Sequence, residues 1–470
     1  MWFFSPRRRR TAAQARRSPS HRPRLELLED RCLPSTAGFL DTGFGPPNGY
    51  VVTYPNPSSP SRRPPVGNAV AVQPDGKIVV AGGANNAPGW ASLAVLRYNP
   101  DGSLDNTFAS GGLALNTLAT FQSGDGPAGY GSAWLSAVAI QSDGKIVVAG
   151  SRLISVNTKV FPTQFDFEWV IERYNTNGTL DTTFGGGKHP TGVVQENLSS
   201  GYDYANALQI QPWDGKIVVV GSKSQGTVTL ARFNANGTLD STFGSGGFVY
   251  YGGASAGSLA LQPDHDIVLA GSANNQLLIL RYSAAGSLDT SFNGSGSVNT
   301  GPLGGANSVV LQSDGSIVVA GSSQGVAAFE RFTSTGAVDT AFGNNGTSVI
   351  SGLSYASALA IHPNTGGEFD VAGVLETSST DWSAAVARLQ SNGNLDTSFG
   401  ANAGLSSYFE PHSYTLAFNG MALQSDGNIV VTGKITVSNG PNGILVVRYY
   451  GATSPQIGSF NANPNPVAAG

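Results

Sequence analysis

Residues 69–82 read AVAVQPDGKIVVAG, which is a short alternating run, a tight turn and a second apolar run. Alternation places successive side chains on opposite faces of a strand. Asp-Gly between two apolar runs is a strong hairpin signal, because glycine adopts the positive φ that such turns require. The stretch therefore predicts two antiparallel strands joined by the Asp75-Gly76 turn.

Six further copies of this stretch follow along the chain. They read AVAIQSDGKIVVAG from 137, ALQIQPWDGKIVVVG from 207, SLALQPDHDIVLAG from 258, SVVLQSDGSIVVAG from 308, ALAIHPNTGGEFDVAG from 358 and MALQSDGNIVVTG from 421. The copy from 358 departs most from the pattern, because HPNTGG replaces QPDGK. We expect a looser turn in that copy.

A second motif follows each copy of the first. It reads LAVLRYNPDGSLDNTF from 93 and recurs until a last, shortened copy, LVVRYYG, ends at 451. The turn after its Arg-Tyr run and the strand after TFG complete a unit of four antiparallel strands. The Leu-Asp pairs (Val-Asp in one copy) begin at 40, 104, 180, 239, 288, 338 and 395. These intervals are typical of the blades of a propeller, with insertions in the longer ones.

The two ends of the repeat region complete one another. The last copy lacks its fourth strand, and the chain supplies that piece earlier as GFLDTGFG at 38–45 and GYVVTY at 49–54. A linear β-solenoid or tandem sandwich domains would have no use for such an exchange, whereas closing a ring removes exposed sheet edges. The sequence predicts an all-β, seven-bladed β-propeller over 39–451. Strand 49–54 is expected to pair with 443–450 and to complete the last blade.

The units resemble the bacterial delta-60 repeat, whose pattern is close to ALQPDGKIVVAG followed by RYNxxGxLDxTFGxxG. Its members are mostly large secreted or surface-associated proteins without an assigned reaction, so the resemblance implies a fold and an extracellular or cell-surface location. RPRLELLEDRCLPS at 22–35 resembles the LEPLEDR-type segments of bacterial surface proteins, and 455–470 resembles the first strand of an immunoglobulin-like module. We expect a basic, disordered or sorting segment at 1–38, the propeller at 39–451, and a tail stub at 452–470.

Charge and cysteine content narrow the function. Residues 1–38 carry nine arginines against three carboxylates, and the rest of the chain has 17 basic and 27 acidic residues. An acidic body argues against nucleic acid as a partner. Cys32 is the single cysteine, so neither a disulfide nor a cysteine metal site can form within one chain. No apolar run reaches the ~18 residues of a membrane-spanning helix, and the start shows no standard secretory signal. We expect a monomeric propeller without a cofactor.

Two charged positions recur once per blade: an arginine in the third strand and the aspartate of the Leu-Asp pair. A catalytic group is needed once rather than in every blade, so the pattern predicts structural contacts within each blade. The expected pairs are Arg97 with Asp105, Arg173 with Asp181, Arg232 with Asp240, Arg281 with Asp289, Arg331 with Asp339, Arg388 with Asp396, and Arg448 with Asp41. The turn aspartates supply one carboxylate each, which is too few for calcium.

The predicted ring has two unlike ends. The turns between strands one and two and between strands three and four form a uniform face; the remaining loops form a variable face, where binding usually resides. Aromatic side chains there would suit sugar stacking or protein contact. The candidate ligand-binding residues are Trp90, Tyr130, Trp134, Phe165, Trp169 and Trp382. The alternative is that these rings form a local core beneath their own loops.

The leading interpretation is a non-enzymatic scaffold that presents its variable loops to a protein or a glycan. The second is a metal-assisted lyase or hydrolase acting on a polysaccharide at the channel mouth, and the third is a structural spacer. Candidate residues for the enzyme are His189, Glu196, Asp203, Glu410 and His412. HExxH and CxxC motifs and a GxSxG nucleophile elbow after a strand are absent, so no catalytic residue and no metal ligand is assigned.

Overall fold

The computed structural model describes residues 37–55, 65–86, 90–117, 133–157, 164–186, 191–224, 226–362, 366–376, 382–408, 414–437 and 442–451. These residues belong to a unit that spans 35–470. They form seven antiparallel sheets of four strands each. The prediction of a seven-bladed β-propeller is confirmed.

Each blade is one sheet, and in blades 1 to 6 the strands lie in chain order from the channel outward. Blades 1 to 4 contain β2 Val66–Val72, β3 Ile78–Asn86, β4 Trp90–Tyr98 and β5 Leu113–Asn116; β6 Ala133–Ile140, β7 Ile146–Asn157, β8 Gln164–Tyr174 and β9 Val193–Glu196; β10 Tyr204–Ile210, β11 Ile217–Lys223, β12 Thr227–Phe233 and β13 Phe248–Gly252; β14 Ser255–Leu261, β15 Ile267–Ala273, β16 Gln276–Tyr282 and β17 Ser297–Thr300. Blades 5 to 7 contain β18 Ala306–Leu311, β19 Ile317–Ser323, β20 Val326–Phe332 and β21 Thr347–Ile350; β22 Leu353–Ile361, β23 Phe369–Glu376, β24 Trp382–Leu389 and β25 Leu405–Tyr408; β26 Tyr414–Leu423, β27 Ile429–Val437, β28 Gly443–Tyr449 and, from the N-terminal side, β1 Tyr50–Thr53. Short helical turns occupy Gly45–Gly49 and Phe292–Gly294.

The core lies between blades rather than within them. In β3, Val79 packs with residues of blade 2, while Ile78 and Val80 pack with residues of blade 7. Successive side chains of a strand point to opposite faces, so both faces of the second strand are buried against neighbours. This explains why the second strand begins with an apolar run in the repeats other than that of blade 6, where Asp370 interrupts it.

Blade 7 is assembled from both ends of the repeat region. β1 pairs with β28 in an antiparallel ladder, with Tyr50 opposite Val447 and Thr53 opposite Ile444. Backbone hydrogen bonds next to this ladder also join the two chain segments. Gly38 N donates to Tyr450 O at 2.6 Å, and Tyr450 N donates to Phe39 O at 2.9 Å. The predicted closure is confirmed, and β1 covers the edge of β28 that would otherwise be unpaired.

A β-bulge interrupts the first strand of every blade. The register skips one residue at the same place in each, and these residues are Asn68, Ser136, Asn206, Gly257, Asn307, Ser357 and Asn419. Asn68 Nδ2 donates to Leu135 O in blade 2 at 2.8 Å, and Asn206 Nδ2 donates to Ala256 O in blade 4 at 2.8 Å. The bulges that carry asparagine thus tie neighbouring blades together.

In the part of the chain that the structure describes, no helix is long and apolar enough to cross a membrane.

Candidate functional site

The repeat arginine joins two blades. Arg173 Nε donates to Asp181 Oδ2 at 2.8 Å within blade 2, and Arg173 Nη1 donates to Ala235 O in blade 3 at 2.6 Å. The guanidinium carbon lies 4.7 Å from the centroid of the Phe184 ring. One side chain therefore combines an ion pair, a cation–π contact and a hydrogen bond to the next blade.

Six blades contain the expected arginine–aspartate pair. The Nε–Oδ2 distance is 2.7 or 2.8 Å for Arg97–Asp105, Arg173–Asp181, Arg232–Asp240, Arg281–Asp289, Arg331–Asp339 and Arg448–Asp41. Burial raises the pKa of Asp181, but hydrogen bonds from Lys145 and Thr183 and the charge of Arg173 outweigh it and hold that pKa well below its usual value. These groups are already paired, which suits a structural role.

Blade 6 departs from the expected pairing. Arg388 Nε donates to Asp370 Oδ1 at 2.7 Å, and Asp370 Oδ2 lies 2.8 Å from His362 Nδ1. Asp396 instead accepts from the backbone N and the hydroxyl of Ser398, at 3.0 and 2.6 Å. The expectation that Arg388 pairs with Asp396 is therefore wrong, because the carboxylate of Asp370 is available directly across the strand pair.

Five aromatic rings meet on the variable face between blades 2 and 3. This aromatic patch consists of Trp134, Phe165, Phe167, Tyr202 and Tyr204, whose neighbouring ring centroids are 5.4–6.4 Å apart. Tyr202 stacks on Phe167 with an interplanar angle of 23°. Tyr202 is 47% exposed, whereas Phe167 is buried. The patch therefore has an exposed ring, that of Tyr202, stacked on a buried ring, that of Phe167.

Local structure explains why these rings meet. β7 and β8 have 12 and 11 residues, against seven in β11 and β12, so the blade 2 hairpin extends farther toward the variable face. Phe167 N donates to Gly201 O at 2.6 Å, and Gly201 N donates to Asp166 Oδ1 at 3.0 Å. These bonds fix the loop before β10 against the extended hairpin, and the loop carries Tyr202.

Asp203 holds the same loop in shape. Its Oδ2 accepts from the backbone N of Leu198 and Ser199 at 2.7 and 2.8 Å, and its Oδ1 accepts from the Ser199 hydroxyl at 2.5 Å. Asp203 is fully buried. A carboxylate that is committed to this many donors serves the loop conformation rather than acid–base chemistry.

Charged groups border the patch. Arg152 Nε pairs with Glu168 Oε1. Burial raises the pKa of Glu196, and the nearby charge of Glu168 raises it further. Lys223 Nζ lies 4.1 Å from the centroid of the Tyr250 ring, which is 47% exposed. The residues around the patch therefore include both positively and negatively charged hydrogen-bonding groups.

The remaining sequence candidates fall in three places. Trp169 is buried in the core, and its indole nitrogen donates to Ser222 O at 3.3 Å, so it is not available to a ligand. Tyr130, His189, Glu410 and His412 lie outside the described residues, as do the side chains of Trp90 and Trp382. Of the residues proposed for an enzyme, the structure describes only Glu196 and Asp203. Asp203 is already hydrogen-bonded within its own loop. No cluster of three or more metal-ligating side chains occurs within the described ranges.

A separate cavity opens on the uniform face, where blades 6, 7 and 1 surround the channel. Its volume is about 830 Å³, and its lining includes Gln73, Asp75, Gln424, Asp426 and Arg448. Sequence reasoning did not single it out, because each of its turns resembles the corresponding turns of other blades. The sequence held no signal for it, because lysine is absent after the first turn of blades 4 to 7 alike, where Asp266, Ser316, Glu368 and Asn428 stand.

The chain matches the family model described as "Domain of unknown function (DUF5122) beta-propeller". The matched segments are 73–108, 141–161, 168–184, 214–243, 262–292, 312–342, 366–399 and 424–449. The chain is a β-propeller repeat protein. The delta-60 resemblance and that of 22–35 to LEPLEDR-type segments stay predictions, and 22–35 lies outside the described residues.

Three solved structures match this chain at low sequence identity. A protein of unknown function from Dyadobacter fermentans has 11% identity and a TM-score of 0.44, over 86% of this chain and 98% of that one. A glucose dehydrogenase has 11% identity and a TM-score of 0.38, over 84% and 99%. Regucalcin, a calcium-binding protein from Agrobacterium tumefaciens, has 14% identity and a TM-score of 0.36, over 68% and 89%. No curated protein matches the chain.

Proposed function

We propose that this protein is a non-enzymatic propeller scaffold that binds a glycan through the aromatic patch. The observation that carries the proposal is the assembly of five rings from the extended blade 2 hairpin, the start of β6 and the loop before β10. Backbone hydrogen bonds fix that loop. Rings held in place before binding lose little conformational freedom when a ligand arrives, which favours affinity.

A glycan is favoured over a protein partner because the described residues of the variable face expose little apolar area. On the variable face of the described parts of blades 2 and 3, Tyr202 and Tyr250 are the exposed large apolar side chains. A stable protein interface buries about 800 Å² on each partner. Two exposed tyrosines beside Lys223 and Glu196 are instead scaled to stacking and hydrogen bonding with one or two sugar rings.

The delta-60 resemblance supports placing this function at the cell surface or outside the cell. Fractionation of the source cells tests this location. Recovery of the chain only with the cytoplasmic contents would contradict it.

A glycan array probed with the full chain tests the binding function. The informative variant is Tyr202→Ala, and the matched control is Tyr54→Ala, a tyrosine of similar exposure in blade 7 (39% against 47%). We expect binding to fall at least about tenfold in Tyr202→Ala and to be unchanged in the control, with both proteins unfolding like the wild type. Equal binding by the two variants would move the site elsewhere. If the wild-type chain binds no glycan, the proposal fails and a protein partner or a structural spacer takes its place.

A further inference from the structure

The residue before the repeat arginine is apolar in five blades and glutamate in two. Each of these residues is at most 3% exposed, and in blade order they are Leu96, Glu172, Ala231, Leu280, Glu330, Ala387 and Val447. A carboxyl at such a position is costly when it is charged, unless hydrogen bonds or a cation compensate for the lost water. The packing of the repeat therefore does not explain the two glutamates.

The two glutamates differ in their partners. Glu172 accepts from the Tyr174 hydroxyl at 2.6 Å and from Asn116 Nδ2 at 2.5 Å. In blade 5, Phe332 stands at the position of that tyrosine and has no hydroxyl. Glu330 Oε2 is buried without a hydrogen-bond partner in the described part of the chain. Glu330 is thus buried without the compensation that Glu172 receives.

A glycine-rich loop on the variable face covers Glu330. Residues 301–305, Gly-Pro-Leu-Gly-Gly, lead from blade 4 to blade 5. A Cβ added to Gly301 would lie 2.3 Å from Oε1 and 2.4 Å from Oε2 of Glu330, so the loop backbone rests on the carboxyl group. Gly301 is exposed and Glu330 is buried, so the loop separates the carboxyl from solvent.

Two backbone hydrogen bonds and one buried leucine hold this loop. Leu277 N donates to Leu303 O at 3.0 Å, and Gly304 N donates to Ser322 O at 3.1 Å. The Leu303 side chain is 1% exposed and packs in the apolar cluster between blades 4 and 5. Lifting the loop would break these bonds, expose the leucine and admit water to the carboxyl of Glu330.

We infer that Glu330 is a pH-sensitive switch for loop 301–305, which is closed while the carboxyl is protonated and opens when the proton is lost. Burial raises the pKa of Glu330 from 4.5 to about 7. In the open form the carboxyl would meet water and return to its ordinary pKa, so ionisation favours opening by up to about 300-fold. The closed form is most stable below pH 4.5, and this stability is lost as pH rises toward about 7.

The surrounding charges leave this switch to Glu330 itself. The described strands packed around it, β14 to β19 and β21, contain one charged residue, Arg281. Arg281 is paired with Asp289 at 2.6 Å. Arg331, the next residue of β20, is paired with Asp339 at 2.7 Å. Burial is accordingly the cause of the raised pKa of Glu330. The inference is independent of the proposed glycan site, since it concerns a different joint between blades.

Hydrogen exchange of the full chain, measured by mass spectrometry between pH 5 and pH 8, tests the inference. The amides of Leu277 and Gly304 report on the loop, because their hydrogen bonds break when it opens. After correction for the intrinsic pH dependence of exchange, we expect the opening equilibrium at both amides to rise at least about tenfold over this range. No rise at either amide would overturn the inference.

The preceding joint provides an internal control. Ala254 N donates to Gly226 O at 2.7 Å in the loop from blade 3 to blade 4, where Leu280 stands at the position of Glu330. We expect the opening equilibrium at Ala254 to change less than about twofold over the same range. An equal rise at Ala254 would mean that the whole propeller loosens with pH, which would refute a local switch.

Replacing the carboxyl tests its role directly. Glu330→Gln keeps the size of the side chain but cannot ionise, so exchange at Leu277 and Gly304 should become independent of pH after the same correction. Glu172→Gln makes the same change in blade 2 and should leave the pH dependence at these two amides as in the wild type. A rise that persists in Glu330→Gln would assign the opening to another group and refute the inference.

A glycine variant tests the contact without changing the titration. Gly301 has a φ of +98°, and its added Cβ would meet the carboxyl of Glu330, whereas Gly253 in the preceding loop has a φ of +76° with nothing within 4 Å of an added Cβ. Gly301→Ala should raise exchange at Leu277 by at least about tenfold at pH 5, where the wild-type loop is closed. Gly253→Ala, which adds backbone strain alone, should raise exchange at Ala254 by a smaller factor. Equal increases in the two variants would show that the loop does not depend on its contact with Glu330.

Discussion

Blades 2 and 6 contain the same repeat arginine in different networks. In blade 2, Arg173 lies opposite Val147 on the neighbouring strand and pairs with Asp181 beyond the next turn. In blade 6, Asp370 occupies the position of that valine, directly opposite Arg388, and takes over the ion pair. Spacing in sequence thus places an aspartate within reach of the repeat arginine. The side chain opposite the arginine on the neighbouring strand decides whether that ion pair forms.

The blades also differ in whether a lysine follows their first turn. Lys145 Nζ lies 2.8 Å from Asp181 Oδ2 in blade 2, and the Asp181 side chain is 4% exposed. Blade 5 has Ser316 at the lysine position, and the Asp339 side chain there is 23% exposed. The aspartates of blades 1 to 3, which have the lysine, are 4–5% exposed, although Asp41 of blade 7 is only 7% exposed without one. The expected contribution of the ion pair to stability decreases as the exposure of the aspartate increases.

The largest expected effect separates blade 2 from blade 6. Asp181→Ala leaves Arg173 and Lys145 without their carboxylate in a buried place, and we expect it to lower the free energy of unfolding by about 3–5 kcal/mol. Asp396→Ala, at the same repeat position, removes only the bonds from Ser398 and should cost about 1 kcal/mol. Chemical denaturation of both variants measures the difference. Equal losses would mean that the altered pairing in blade 6 has no energetic consequence.

A double-mutant cycle in blade 4 should give an intermediate value. Arg281 and Asp289 are hydrogen-bonded at 2.7 Å, but the Asp289 side chain is 20% exposed and no lysine covers it. We expect Arg281→Ala and Asp289→Ala to be non-additive, with a coupling energy of about 1–2 kcal/mol. The same cycle on Arg173 and Asp181 should give a larger coupling. Additive effects in blade 4 would show that these two groups do not interact.

The fold was predictable because its signals are local. Asp-Gly turns, alternation and the displaced GFLDTGFG piece each depend on a few neighbouring residues. Five ion pairs follow from the tight turn between an arginine and its aspartate, and the sixth, Arg448 with Asp41, follows from the closure of the ring. The blade 6 pair was not predicted, because Asp370 becomes relevant only once strands two and three are in register. Its signal was visible, since FDVAG replaces the IVVAG pattern.

The candidate site was predictable only in part. Trp134 and Phe165 were singled out and lie in the aromatic patch, but the inclusion of Tyr202 depends on a loop conformation that Asp203 fixes. Trp169 was misassigned because β8 is buried on both faces from Phe167 onward, and Trp169 lies within this buried run. Long-range placement of loops, unlike turn formation, does not follow from the residues of the loop alone.

Two buried glutamates offer a comparison that depends on pH. Glu172 and Glu330 both precede the repeat arginine, and burial raises the pKa of each to about 7. Tyr174 donates to Glu172 at 2.6 Å, whereas Glu330 Oε2 is buried without a partner in the described structure. Because the folded pKa exceeds the unfolded value of 4.5, each group favours folding most below pH 4.5, and stability falls as pH rises toward about 7.

Replacing each glutamate tests this account. Glu330→Gln should raise the free energy of unfolding at pH 8 by about 1–2 kcal/mol and flatten its decline between pH 4.5 and 7. Glu172→Gln should give a smaller gain, because the amide replaces an oxygen that accepts from Tyr174 or Asn116. Denaturation curves recorded across this pH range measure both. If the free energy of unfolding declines with pH in Glu330→Gln as it does in the wild type, other groups cause the decline.

The smallest expected effect comes from adding the lysine to a blade that lacks it. Ser316→Lys places a cation at the position from which Lys77, Lys145 and Lys216 reach their aspartates in blades 1 to 3, at 2.8–2.9 Å. Its partner in blade 5 would be Asp339, which is more exposed than those aspartates, so we expect a gain of at most about 1 kcal/mol. Ser316→Met is the control, since it adds a stem of similar length without charge. If the charge of the lysine is responsible, the difference in free energy of unfolding between the two variants becomes smaller in high salt. If methionine stabilises as much as lysine, the lysine of blades 1 to 3 acts by covering the aspartate rather than by pairing with it.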